Sequence, residues 1–102
     1  MNLKIKKLIA KKNKVKIVCL TAYSKNFAEE VDKFADITLV GDSLGSVLYN
    51  YDTTRKVKLI NMIDHSKSVR LGVKKSLMVV DMPYNTYGSK ILALKNAQKI
   101  IK

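Results

Sequence analysis

At 102 residues, 47% of them apolar, the chain is sized for one domain near the lower end of the globular range, or for a piece of one. Its net charge of +12 is carried almost wholly by lysine, with Arg55 and Arg70 the only arginines. Lysines spread along the whole chain, without the arginine fork that reads base edges and clamps phosphates, describe a solvated basic face and not a nucleic-acid site.

The N-terminus, MNLKIKKLIAKKNKVKIVCL, starts like a secretion signal, but lysines interrupt it before an adequate apolar core forms. No stretch approaches the roughly eighteen apolar residues of a membrane span. The expectation is a cytoplasmic protein with neither membrane nor nucleic acid as partner. Leu3, Ile5, Leu8 and Ile9 among lysines predict a short amphipathic helix over about residues 2–12. Val15 to Thr21 is apolar and β-branched, hence a strand. Cys19 inside it is the sole cysteine, so no disulfide forms within the chain, and a buried small hydrophobe is expected.

Ser24 is placed to cap a helix whose apolar stripe reads Phe27, Ala28, Val31, Phe34 and Ala35. Asp36 to Gly41 predicts a second strand, followed by a long loop through Gly45 and Tyr51 to about Lys56. A helix is expected from about Lys58 to Leu71, with Leu59, Met62, Ile63 and Val69 inward and Gly72 in the left-handed position that often ends helices. Ser76 to Val80 predicts a third strand. The loop from Met82 to Gly88 then leads into a last helix, from Ser89, that buries Ala93, Leu94, Ala97, Ile100 and Ile101. Strands without polar alternation, each followed by a helix, predict an α/β fold with a parallel sheet.

In such folds ligands gather at the C-terminal ends of the strands. ITLV runs into Gly41-Asp42-Ser43, and LMVV runs into Asp81, so two carboxylates are expected at one rim. Hard oxygen donors of this kind suit Mg²⁺, which keeps coordination positions for water and substrate oxygens; capping of a loop or helix is the alternative use of each aspartate.

Thr21-Ala-Tyr23, Leu39-Val-Gly-Asp-Ser-Leu-Gly45, Tyr51-Asp-Thr-Thr54, His65-Ser-Lys-Ser-Val-Arg-Leu-Gly72 and Val79-Val-Asp-Met-Pro-Tyr84 together resemble the ketopantoate hydroxymethyltransferase family, collinearly from about Lys14 onward. The resemblance implies the first three βα units of a (β/α)₈ barrel preceded by a short N-terminal helix. A complete barrel of this class needs about 250 residues. It further implies transfer of a one-carbon unit from 5,10-methylenetetrahydrofolate to a 2-oxo acid, with both small molecules as partners and homo-oligomers in the full-length family. By the same resemblance Asp42 and Asp81 bind Mg²⁺, and Ser43, together with Asp42 and Asp81, holds the keto acid. The general base is a glutamate expected beyond residue 102, so the chain looks like the N-terminal portion of such an enzyme.

The chain departs from the family pattern at two helix starts. Serine stands at position 24 in place of an aspartate, and Arg55-Lys56-Val57-Lys58 replaces a segment ending in a threonine cap. The latter places cations at a positive dipole end and predicts a weaker helix start. His65 borders an apolar face without a carboxylate at helical spacing, Asp64 facing elsewhere, and is expected to be structural. Tyr49, Tyr51, Tyr84 and Tyr87 are expected to pack loops or line the mouth of the site. Two other readings compete. A small receiver-like or flavodoxin-like domain also ends strands in aspartates, but a receiver wants an acidic pair after its first strand, and here that strand ends in Thr-Ala-Tyr. A basic binding module predicts nucleic-acid affinity that falls steeply with salt.

Overall fold

A computed structural model describes residues 2–101. Three short strands, β1 (Cys19–Thr21), β2 (Ile37–Val40) and β3 (Leu77–Val80), form a parallel sheet in the order β1-β2-β3. The helices are α1 (Leu3–Ala10), α2 (Lys25–Asp32), α3 (Leu44–Val47), α4 (Leu59–Gly72) and α5 (Lys90–Ile101), with a 3-10 turn at Thr54–Lys56. Among the described residues no helix is long and apolar enough to cross a membrane.

The parallel sheet expected from the apolar runs is present. In the central strand β2, Thr38 and Val40 are fully buried while Ile37 and Leu39 on the other face are only partly covered. Val40 joins a core of Ala22, Ala28, Leu44, Val57, Met62, Val69 and Val73, against which Met78 and Val80 of β3 pack. The buried face therefore meets α2 and α4, and these two helices make the most extensive contact between elements. Thr21, Leu39 and Val79 lie in one register row, so the three strands end together.

Hydrogen bonds tie the opposite end of the sheet. Asp32, at the end of α2, accepts the backbone N–H groups of Lys74, Lys75 and Ser76 and the Ser76 hydroxyl at 2.8–3.1 Å. Helix α1, whose Lys4 N–H donates to the side chain of Asn2 at 2.7 Å, lies nearby: Lys4 Nζ donates to Ser76 O at 3.0 Å, and Lys11 pairs with Asp36.

Several expectations are corrected. The first strand is confined to Cys19–Thr21, and Cys19 is exposed, because β1 is an edge strand with all three residues accessible. Phe27 and Phe34 are 72% and 75% exposed; Phe27 is a turn-step off the Ala28 face, and Phe34 lies beyond the end of α2. The expected loop after Gly41 contains α3. Gly72 is no left-handed terminator: α4 runs through it and no glycine among the described residues has positive φ. That conformation falls to Asn13, Asn50 and Asn85, the residue type that tolerates it best after glycine. Leu94 and Ile101 of α5 are 62% and 83% exposed, and the buried residue is Asn96, which donates to Thr86 O at 2.8 Å.

Candidate functional site

The rim at which the three strands end carries the residues singled out from the sequence. Asp42 follows β2 by one residue beyond Gly41, and Asp81 directly follows β3. Asp81 is drawn into register by its backbone N–H, which donates to Val40 O at 3.0 Å. Its carboxylate in turn accepts the Asp42 backbone N–H through Oδ2 at 3.0 Å. The chain then turns at once into α3, with Leu44 N–H donating to Gly41 O at 3.2 Å and Gly45 N–H to Asp42 O at 3.0 Å.

Gly41 keeps the space between these groups clear. A Cβ there would stand 3.4 Å from both Asp81 Oδ2 and Ser43 Oγ, so carboxylate and hydroxyl border one small volume. Partial burial, and after it the negative charge of Asp81, raises the Asp42 carboxyl above its ordinary pKa. Two carboxylates held together in this way gain from a positive charge between them. Among the described residues no group of three or more His, Cys, Asp or Glu side chains converges as a metal cage. What the rim brings together is two carboxylate side chains, one of which also accepts the other residue's backbone N–H. Two clefts of about 630 and 770 Å³ occur elsewhere, one beside α1 and one between α4 and α5; neither is lined by Asp42, Ser43 or Asp81.

Sequence reasoning missed what surrounds Ser43. Its Oγ lies 2.7 Å from Tyr23 Oη, and Tyr23 belongs to the segment that follows β1. The backbone carbonyl of Tyr23 accepts from His65 Nδ1 at 2.8 Å, and His65 Nε2 lies 2.9 Å from Tyr49 Oη. His65 thus joins α4 to two loops of the rim. Of the tyrosines, Tyr49 stacks on Tyr51 with centroids 5.6 Å apart, Tyr84 lies under the Arg55 guanidinium at 5.0 Å, and Tyr87 is exposed. The only sequence signal for the network was the Thr-Ala-Tyr and His65 segments themselves, whose partners are distant in the chain.

The family profile described as ketopantoate hydroxymethyltransferase matches residues 2–102. Among curated proteins, a 3-methyl-2-oxobutanoate hydroxymethyltransferase of Pelagibacter ubique is 65% identical over 101 residues, covering 99% of this chain and 39% of the relative. Proteins of the same name from Rhizobium etli and Anaplasma marginale are 51% and 45% identical, over 84% and 99% of this chain and 32% and 36% of their own lengths. The chain therefore spans 32–39% of the length of these relatives. With a profile matched over nearly every residue and relatives of one name, the chain belongs to the ketopantoate hydroxymethyltransferase family.

Proposed function

We propose that this chain supplies the metal- and keto-acid-binding part of a cytoplasmic 3-methyl-2-oxobutanoate hydroxymethyltransferase. The whole enzyme would transfer a hydroxymethyl group from 5,10-methylenetetrahydrofolate to 3-methyl-2-oxobutanoate, giving 2-dehydropantoate for pantothenate synthesis. The observation that carries the reading is the convergence of Asp42, Ser43 and Asp81 at one strand rim in a chain of this family.

Asp42 and Asp81 would hold Mg²⁺: both are hard oxygen donors at one strand rim, and after burial the charge of Asp81 is what raises the Asp42 carboxyl, a repulsion that a cation between them would relieve. Such an ion, when bound, supplies Lewis-acid assistance to loss of the C3 proton of the keto acid. Ser43 contributes a hydroxyl that, like Asp81 Oδ2, borders the space at Gly41 and can hydrogen-bond a keto-acid oxygen. The proton must go to a base poised for it, and neither aspartate serves if both are committed to the cation. We place that base, together with the rest of a (β/α)₈ barrel, in the part of the enzyme that this chain does not span, and infer that the 102 residues alone do not turn over.

Calorimetric titration with 3-methyl-2-oxobutanoate in the presence and absence of Mg²⁺ tests the assignment. Binding is expected to require Mg²⁺ and to be abolished by Asp42→Ala or Asp81→Ala. Unaltered titration of both variants would refute the site.

A further inference from the structure

We infer that Tyr23 and His65 are positioning residues that orient the Ser43 hydroxyl as a hydrogen-bond donor toward a 2-oxo acid oxygen; the inference rests on the keto-acid reading of Ser43. Ser43 and Tyr23 hydroxyls are 2.7 Å apart and share one hydrogen bond. A phenolic O–H is a stronger donor than an aliphatic one, and on that ground we assign the shared proton to Tyr23. The proton of Ser43 is then directed elsewhere. Its Oγ borders the same small volume as Asp81 Oδ2, where an oxygen with lone pairs is the fitting partner. A serine left to rotate would present donor and acceptor indiscriminately; one that receives a bond from Tyr23 presents its donor.

For this to work the Tyr23 ring must itself be fixed, and one bond from the preceding residue and one to its own carbonyl hold the backbone there. The preceding residue, Ala22, is buried and its N–H donates to Leu39 O at 3.0 Å. The Tyr23 carbonyl takes a bond from His65 at 2.8 Å. A carbonyl only accepts, so Nδ1 carries the proton, and in the neutral ring Nε2 accepts from the Tyr49 hydroxyl at 2.9 Å. Tyr49 is in turn held edge-on to the imidazole and stacked on Tyr51. One direction of donation runs from Tyr49 to His65 to the Tyr23 backbone; a second runs from the Tyr23 phenol through Ser43 to the ligand.

Two measurements on the full 102-residue chain test this. Without ligand, the Hα–Hβ scalar couplings of Ser43 should report a single rotamer that becomes averaged in Tyr23→Phe; couplings that do not change would overturn the proposal. With Mg²⁺ and 3-methyl-2-oxobutanoate, Tyr23→Phe and Ser43→Ala should each weaken binding about tenfold, the size of one well-placed hydrogen bond to an anion. The double variant should be no weaker than either single one, since the two hydroxyls act as a unit. His65→Ala should weaken binding similarly, and His65→Asn, which keeps an N–H near the Nδ1 position, should recover it. Additive losses in the double variant would show that Tyr23 acts independently of Ser43 and sink the inference while leaving the keto-acid site intact. If Ser43→Ala and Asp42→Ala both bind normally, the keto-acid reading itself fails and the inference goes with it. Should the native chain bind no keto acid, the coupling measurement still decides whether Tyr23 holds the Ser43 side chain in the one rotamer that the proposed orientation requires.

Discussion

Gly72 illustrates how little a residue's type says about its task until its neighbours are known. In the sequence it stands where a helix ends and a left-handed residue is wanted. In the folded chain it is the last residue of α4, and a Cβ there would meet Lys25 O at 2.5 Å and both Ala28 Cβ and Glu29 N at 2.9 Å. Two opposed effects act on Gly72→Ala. Helix propensity favours alanine by about 1 kcal/mol, whereas overpacking against backbone atoms, which cannot swing aside, costs about 1–3 kcal/mol or more. With contacts this short overpacking wins, so the variant should lose roughly 1–2 kcal/mol of stability, seen as a lower urea midpoint with an unchanged slope. A midpoint at or above the native value would mean that α2 and α4 do not approach as closely as described. Cys19 makes the same point from the other side: its apolar surroundings in the sequence are real, but it is exposed because β1 lies at the sheet edge.

Helices show the same dependence on partners at their ends. Ser24 occupies the N-cap position of α2 with extended backbone, yet its side chain makes no capping bond. The first helical N–H, that of Lys25, donates instead to Ser68 Oγ of α4 at 2.9 Å. Ser68 and Gly72, one turn apart, are thus the small residues that let α4 lie against α2. The start of α4 lacks a side-chain cap: Lys58 stands at its N-cap with extended backbone and a side chain that has no acceptor. One half of a capping box survives, since Lys58 N–H donates to Asn61 Oδ1 at 2.9 Å. Lys58→Thr restores the other half and removes a cation from the positive end of the helix. A gain of about 1 kcal/mol is expected in the unfolding free energy; no gain would show that the N-terminal N–H groups of α4 are already satisfied. Strands β2 and β3, and the aspartates that follow them, were legible because β-branched runs and a shared strand end are local facts. The α2–α4 seam, α3 and the Tyr23–Ser43 pair were not, since each is decided by residues far apart in the chain, and sequence periodicity says which face is apolar without saying what covers it.

The molecule as a whole is fastened at both ends of its sheet, and by different chemistry. At the end away from the site, burial, the largest single influence on Asp32, would raise its pKa. The hydrogen bonds from Ser76, Lys75 and Lys74 together outweigh it, taking the carboxyl from 3.8 to about 2. A folded value below the unfolded one means that this stabilisation is complete above about pH 4 and is lost as the pH falls through about 2. It amounts to about 2 kcal/mol. The stability gap between the native chain and Asp32→Ala should therefore narrow as the pH is lowered from about 5 to about 2.5, a comparison in which acid-induced charge repulsion cancels. A constant gap would contradict the assignment. At the site end, the amide of Asp42 is closed by a carboxylate 39 positions further along the chain, a contact that exists only once β2 and β3 have paired. Solvent deuterium can reach that amide only when the strand ends part, so its exchange rate is an intrinsic gauge of how often the rim opens. Any ligand that prefers the closed rim must slow that clock in proportion to its occupancy, whatever chemistry follows.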